Sequence, residues 1–377
     1  MHLKKCSLTL RVSFARKIFV EEAALKRRNC MGFFPRQCVR KLICVGFLLW
    51  GLNCIRARAD VSLLLEEPFG QFGDMNPTGH AAIYLNHVCA ASPTELRPCT
   101  PGEAGVVISR YHRIGGYDWL AIPLIPYLYA VDDPRDVPEF IDAKLEMQLR
   151  DQYRRKHLLD LVPDDPKREI PKGDWIQLVG ASYDRKIYGY RIETSEEQDH
   201  ALIEALNQRS NKSHFNLFFN NCANFSQKIL NFYYPHAVRR NYIADAGLMT
   251  PKQAAKSLVH YSKRHRDLEF STFVIPQVSG TIHHSDPVDG VVESLVKSKK
   301  YLVPIAALHP FVAGGLALVY LGDGRFHLDK NAPVFDPVRE FQTGDMAENG
   351  ALTLPESGNP TEQGSSGNGV AHAAHNP

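Results

Sequence analysis

Short apolar runs separated by turn-forming residues dominate the first half of the chain. Residues 61–65, 80–85 and 105–111 are each five to seven residues long and rich in aliphatic and aromatic side chains, which predicts three strands. The second and third are expected to pair as a hairpin across the segment between them. A longer apolar stretch at residues 117–131 is interrupted by prolines and predicts a lid or binding wall rather than a regular element.

Helical spacing and helix-start signals become frequent in the second half. Apolar residues at helical spacing in charged sequence predict a helix within residues 138–160. Ser195 and Gln198 have the spacing of a capping box, with Thr194 as the alternative N-cap, and Pro251 occupies the permitted first position of another helix. Strand patterns fall at residues 175–179, 188–192 and 270–275. The chain therefore predicts a domain that mixes strands and helices.

Residues 301–321 contain no Asp, Glu, Lys or Arg. A run of this length is sufficient to cross a bilayer, and Lys297, Lys299 and Lys300 flank it upstream, so it predicts a transmembrane helix. His309 and Pro310 lie in its middle, which leaves a buried helical hairpin of the preceding domain as the alternative. The tail at residues 341–377 is rich in Gly, Ser, Asn and Pro and is expected to be disordered.

The N-terminal region has the three parts of a secretory signal peptide. Arg36, Arg40 and Lys41 precede an apolar segment at residues 42–54, and residues 57–59 form an Ala-Arg-Ala cleavage pattern. Cleavage there removes residues 1–59 and leaves one main domain at residues 60–296, in an oxidising compartment. An N-terminal membrane anchor is the alternative. Residues 1–30 do not resemble a leader and predict an over-extended start, with Met31 as the initiator.

Cysteine counting singles out Cys222. Only Cys89, Cys99 and Cys222 follow the predicted cleavage site, and the first two flank a short Ser/Pro/Thr-rich loop that a disulfide can close. Cys222 is left unpaired and stands just before a helical pattern. The unpaired N–H groups and dipole of a helix N-terminus lower a thiol pKa, which predicts a nucleophile. The alternative is a buried structural cysteine.

A thiolate nucleophile requires a proton acceptor and a residue that orients it. His80 is the predicted acceptor, because it begins a strand directly after a turn. The orienting residue is predicted to be His112 or Ser109, both near the end of the neighbouring strand, and the strand register decides between them. These four residues, Cys222, His80, His112 and Ser109, form the candidate catalytic set.

Other kinds of site lack support in the sequence. The lone cysteine and scattered histidines have no zinc-ligand spacing, and there is no glycine-rich phosphate loop, so neither a metal nor another cofactor is expected. The 44 basic and 41 acidic residues form no basic stripe with interleaved aromatics, so no nucleic-acid partner is expected. The oligomeric state is left open.

Two short motifs resemble a known superfamily. A histidine strand at residues 79–85, a second strand, and a late Asn-Cys opening a helix at residues 221–225 are similar to the circularly permuted papain-like NlpC superfamily, which includes the lecithin:retinol acyltransferase-like enzymes. The resemblance covers residues 61–245 and is nearest to the Lnb-type periplasmic domain family. The insertion between Cys89 and Cys99 departs from the pattern, as does the lack of a second histidine at the usual short spacing.

This resemblance implies a fold and an activity. The fold class is α+β, a permuted papain-like fold in which a small antiparallel sheet packs on the helix bearing Cys222, followed by the C-terminal hydrophobic helix. The activity is an acyltransferase or hydrolase with a covalent acyl-cysteine intermediate, acting on a lipid or lipoprotein acyl group at a bacterial membrane, in the periplasm or on the outer face of the inner membrane. A non-catalytic cell-envelope module and a cell-wall amidase or peptidase are the alternatives.

Overall fold

Six antiparallel strands form the main sheet of the computed structural model, which describes residues 59–70, 77–112 and 114–342. The sheet has the order β6-β5-β2-β1-β7-β8, and β3 and β4 form a separate hairpin. The strands are β1 (Ala59–Glu66), β2 (His80–Leu85), β3 (Val88–Ser92), β4 (Glu95–Pro98), β5 (Val106–Ser109), β6 (Leu120–Pro123), β7 (Ile187–Thr194) and β8 (Phe270–Ile275). The predicted signal peptide up to residue 58, the predicted initiator and the tail from residue 343 lie outside the described residues.

Helices cover both faces of this sheet. They are α1 (Leu124–Tyr129), α2 (Ala143–His157), α3 (Ala181–Asp184), α4 (Glu196–Asn207), α5 (Cys222–Tyr233), α6 (Pro251–Arg264), α7 (Val291–Lys297), α8 (Lys299–Leu308), α9 (Pro310–Val319) and α10 (Pro337–Gln342). The predicted α+β class is thereby confirmed, although the sheet is larger than the small one expected. Cys222 begins α5, as the sequence indicated.

The apolar run of β1 places this strand at the centre of the molecule. Leu63 and Leu65 contribute to one core, which α5 and α6 cover, whereas Leu64 contributes to the core on the other face with α1 and Trp175. Because successive strand side chains point to opposite faces, a continuous apolar run is what a strand buried on both faces requires. The predicted hairpin is also present, since Ile83 of β2 pairs with Ile108 of β5.

The predicted disulfide is present in the β3–β4 hairpin. The Sγ atoms of Cys89 and Cys99 are 2.06 Å apart, and Cys222 is the free cysteine of the described part of the chain. Because the disulfide occupies both sulfurs, Cys89 and Cys99 are not available as metal ligands beside Glu103, with which they form a compact group.

Two predicted segments differ from the structure in the middle of the chain. Residues 117–131 do not form a lid, because they include β6 and α1, whose side chains are buried in the core. Pro126 lies in the first turn of α1, where a proline is tolerated. Residues 175–179 are not a strand but mostly a 3₁₀ turn at Asp174–Leu178. The indole N–H of Trp175 donates to the carbonyl of Pro171 at 2.9 Å and holds this turn.

The apolar run at residues 301–321 forms two helices instead of one. His309 has φ −141° and ψ 69° and separates α8 from α9, because the residue before a proline is disfavoured in the helical region. Pro310 then begins α9. No residue of α8 or α9 is buried, so the alternative of a hairpin buried in the preceding domain is wrong.

Among the helices of residues 59–70, 77–112 and 114–342, none combines the length and the apolar character needed to cross a bilayer.

Candidate active site

Cys222 is held at the start of α5 by a reciprocal cap. The Asn221 side chain accepts a hydrogen bond from the backbone N–H of Asn224 at 2.8 Å, and the Asn224 side chain accepts from the N–H of Asn221 at 3.2 Å. The amide nitrogen of Asn221 donates to the carbonyls of Leu217 at 2.9 Å and Met249 at 3.1 Å. The backbone that carries the thiol is therefore fixed from both sides.

His80 is placed by the turn that precedes β2. Gly79 has a φ of +69°, and a Cβ at this position would lie 2.1 Å from the carbonyl oxygen of Glu66. Only glycine permits this close approach without a backbone shift. The turn therefore places the His80 ring at the end of the sheet, where it meets α5.

His80 interacts electrostatically with the Cys222 thiol. Burial raises the pKa of the thiol, but the charge and hydrogen bond of His80 and the backbone N–H groups of Ala81 and Ala223 outweigh burial, so the pKa lies below its ordinary value. Cys222 is nevertheless largely buried, since its relative exposure is 9%. The site thus favours a thiolate that is sheltered from water.

Ser109 fixes the tautomer of His80. Its Oγ lies 2.9 Å from Nε2 of His80 and 2.8 Å from the carbonyl oxygen of Ala81. A carbonyl can only accept, so the single hydroxyl hydrogen goes to Ala81 and the hydroxyl oxygen accepts from Nε2–H. This arrangement leaves Nδ1 as the nitrogen that can take the thiol proton.

The structure places His112 away from this pair. Its Nδ1 lies 2.9 Å from Oδ2 of Asp174, its ring meets Phe215 edge to face, and its side chain is 44% exposed. Ser109 is the last residue of β5, so the chain has left the sheet before it reaches residue 112. Of the two predicted orienting residues, Ser109 is the one beside His80.

Tyr111 joins the site and was missed in the sequence. Its ring stacks on His80 with 5.2 Å between the centroids, and the neighbouring Tyr127 hydroxyl opposes the rise that burial causes in the pKa of Tyr111. The Tyr127 hydroxyl donates in turn to Oε1 of Glu66. A buried chain of contacts therefore extends from the imidazole to a carboxylate on the neighbouring strand.

Glu66 ends this chain in a buried ion pair. Its Oε2 accepts a hydrogen bond from Nη1 of Arg185 at 2.9 Å, and the Arg185 guanidinium lies over the Phe69 ring. Burial raises the pKa of Glu66, while Arg185 and Tyr127 offset part of that rise. A charged residue at the end of the apolar β1 strand was the signal in the sequence that could have identified it.

Arg110 connects the histidine side of the site to the cysteine helix. Its guanidinium contacts Asp118 at 2.5 Å, donates to the carbonyl of Asn221 at 3.3 Å and lies over the Phe225 ring. Because Arg110 directly follows Ser109, one short segment of chain orients His80 and holds the start of α5.

An exposed apolar segment precedes the nucleophile. Leu217, Phe218 and Phe219 lie in the loop before α5, and their exposed fractions are 49%, 54% and 66%. Asn221 binds the carbonyl of Leu217, so this loop is attached directly to the cap of the cysteine helix.

No family model, no curated protein and no solved structure matches this chain.

Proposed function

We propose that the protein is a thiol-dependent acyltransferase or hydrolase with a permuted papain-like site. Cys222 is the nucleophile, His80 the general base and Ser109 the orienting residue. The observation that carries this proposal is the His80 imidazole, which is held by the Ser109 hydroxyl and keeps the pKa of the Cys222 thiol below its ordinary value. This is the nucleophile, base and orienter arrangement that acyl transfer requires.

The geometry supports a two-step reaction. Nδ1 of His80 takes the thiol proton, and Sγ attacks the carbonyl carbon of an ester or amide. The oxyanion is stabilised by N–H groups in the first turn of α5, where the Asn224 N–H is already used by the cap. When the bond from the carbonyl carbon to the leaving group breaks, the leaving group receives the proton from His80. Water or an amine then attacks the thioester, His80 takes its proton, and the C–S bond breaks to restore the thiolate.

A lipid or lipoprotein acyl group is the proposed acyl donor. The support for it is the exposed apolar segment Leu217, Phe218 and Phe219, which closely precedes the nucleophile. The apolar residues 117–131 do not contribute, because they belong to the core. The disulfide between Cys89 and Cys99 fits the oxidising, exported location expected for such an enzyme.

Acylation of the protein tests the proposal. The full chain is incubated with p-nitrophenyl octanoate or with a peptide amide, and intact-mass spectrometry follows the acyl adduct. We expect an octanoyl adduct on Cys222 that is absent in Cys222→Ala and formed roughly tenfold or more slowly in His80→Ala. The matched control is His112→Ala, which should acylate at the rate of the unmodified protein.

The alternatives give different results in the same assay. A cell-wall amidase or peptidase would form the adduct from the peptide amide and not from the octanoyl ester. A non-catalytic envelope module would form neither, and its Cys222 would react with iodoacetamide no faster than free cysteine does.

A further inference from the structure

Helices α8 and α9 leave large apolar side chains exposed. Phe311 is 94% exposed and Leu308 is 74% exposed, and neither helix has a buried residue. Between Lys300 and Asp323 the sequence has no Asp, Glu, Lys or Arg. Exposure of apolar helices to water is unfavourable, which indicates that another apolar medium or surface covers them.

Both ends of this helix pair are tied to the domain by charged contacts. At the end nearest α9, Asp323 accepts hydrogen bonds from Lys256 at 2.8 Å and from Asn241 at 2.5 Å. At the start of the pair, Lys297 contacts Asp289 at 2.7 Å and Glu293 at 2.6 Å. The exposure of the apolar residues is therefore a fixed feature of the fold and not a consequence of a loose segment.

The loop at residues 240–243 joins this pair to the segment beside the nucleophile. The Arg240 guanidinium lies 6.0 Å from the centre of the Phe219 ring, and the next residue, Asn241, binds Asp323. Tyr242 and Ile243 of the same loop are 78% and 66% exposed. We call residues 217–219, residues 242–243 and the α8–α9 pair together the docking surface.

The chemistry of the docking surface favours a bilayer over a protein partner. In α9 the half-buried residues Ala313, Leu316 and Ala317 recur at helical spacing and mark one side of the helix, while Phe311, Val312 and Leu318 are exposed. A bilayer interface accepts an exposed apolar helix face of this kind together with the basic residues beside it. Each helix has ten residues and is about 15 Å long, roughly half the thickness of a bilayer core. Lys299 and Lys300 are exposed at the start of the pair, where they can contact anionic headgroups.

We propose that the docking surface inserts α8 and α9 into one leaflet of an anionic bilayer and thereby holds the Cys222 loop at the level of the lipid headgroups. Phe311 lies at the junction of the two helices and enters the acyl-chain region. Lys299 and Lys300 remain among the phosphates. This attachment is independent of the thiol chemistry proposed above, although it would place a lipid acyl group within reach of the nucleophile.

A tryptophan probe at residue 311 tests the insertion. Phe311→Trp in the full chain is mixed with vesicles of phosphatidylcholine and phosphatidylglycerol whose acyl chains carry bromine, which quenches tryptophan at membrane depth. The unmodified chain supplies the background from its native tryptophans, of which Trp119 and Trp175 are buried. The matched control is Phe140→Trp, since Phe140 is 59% exposed beside Ile141, which belongs to the core on the opposite face of the sheet.

The expected result is strong quenching in Phe311→Trp and none beyond the background in Phe140→Trp. Charge reversal in Lys299→Glu/Lys300→Glu should weaken vesicle binding about tenfold or more. Equal quenching in the two tryptophan variants would overturn the proposal. A second result would also overturn the proposal. If the emission of Phe311→Trp shifts to the blue as the protein concentration rises in the absence of vesicles, a second copy of the chain covers the docking surface.

The test also separates this proposal from the proposed function. Cys222→Ala should bind the vesicles as the unmodified protein does. If the probe at residue 311 is quenched but no acyl adduct forms on Cys222, the docking surface stands and the enzyme proposal fails. If the adduct forms but the probe is not quenched, the docking surface is overturned and the enzyme proposal stands.

Discussion

Glu66 and His80 lie directly opposite each other on β1 and β2. The carboxylate and the imidazole therefore share one end of the sheet, where the Tyr111 ring stacks on His80 and the Tyr127 hydroxyl donates to Glu66. Strands hold side chains more precisely than loops do, so the general base is positioned by the most rigid part of the fold.

The lowered thiol pKa predicts how the reactivity of Cys222 depends on pH. Because His80 favours the thiolate, the rate of alkylation by iodoacetamide should reach half its maximum at a lower pH than for free cysteine, whose pKa is about 8.5. His80→Ala removes this effect and leaves burial to dominate, so the midpoint should move to higher pH. His112→Ala serves as the control and should leave the profile unchanged. An unchanged profile in His80→Ala would contradict the assignment of the base.

Replacement of Ser109 tests its role as a positioning residue. In Ser109→Ala, Nε2–H of His80 loses its acceptor, so we expect acylation to slow by roughly tenfold to hundredfold while unfolding free energy falls by only about 1 kcal/mol. The matched control is Ser62→Ala, because Ser62 is equally buried on β1 and its hydroxyl has no hydrogen-bond partner within the described residues. The two variants should differ in acylation rate and pH profile, and equal rates would show that Ser109 has only a structural role.

The Tyr127 hydroxyl is expected to stabilise the fold through the carboxylate of Glu66. Tyr127→Phe leaves this buried carboxylate with one donor fewer, at a cost of about 2 kcal/mol in urea unfolding. Tyr84→Phe is the control, since the Tyr84 hydroxyl donates to the neutral carbonyl of Ala104 at 2.9 Å and should cost about 1 kcal/mol. A smaller loss in Tyr127→Phe than in Tyr84→Phe would argue against a charged Glu66.

The disulfide should stabilise the β3–β4 hairpin without affecting the nucleophile. Cys89 and Cys99 are 10 residues apart, and closing a loop of this size contributes about 2–3 kcal/mol in the chain-entropy description. The double variant Cys89→Ser/Cys99→Ser should therefore unfold at a lower urea concentration. Its Cys222 should react with iodoacetamide at the original rate, and a changed rate would mean that the hairpin supports the active site.

Glu340 should make stability depend on pH. Burial raises the pKa of Glu340 to about 7, with Arg191 lowering and Asp336 raising it, whereas its pKa in the unfolded chain is about 4.3. A raised carboxyl pKa contributes stability that is present below about pH 4.3 and is lost as pH rises through about 7. The unfolding free energy of the unmodified protein should therefore fall relative to that of Glu340→Gln between about pH 5 and pH 8. We expect a loss of about 1–2 kcal/mol, because solvent partly screens the carboxylate.

Local signals predicted the fold best where they act over few residues. The capping box of Ser195 and Gln198 and the strand at residues 270–275 are present as expected. The contacts of Glu66 could not be predicted in this way, because they join it to Tyr127 and Arg185, which are 61 and 119 residues away in the chain. The end of β5 at Ser109 likewise decided between Ser109 and His112, and one sequence does not determine where a strand ends or its register.

The cap at residue 221 restricts which residue can precede the nucleophile. Aspartate caps a helix as well as asparagine does, but it has no N–H to donate to Leu217 and Met249. Its negative charge would also lie beside the thiolate and raise the pKa of Cys222. The neutral amide at position 221 thus allows one side chain to begin the helix, to anchor two loops and to leave the sulfur free to ionise.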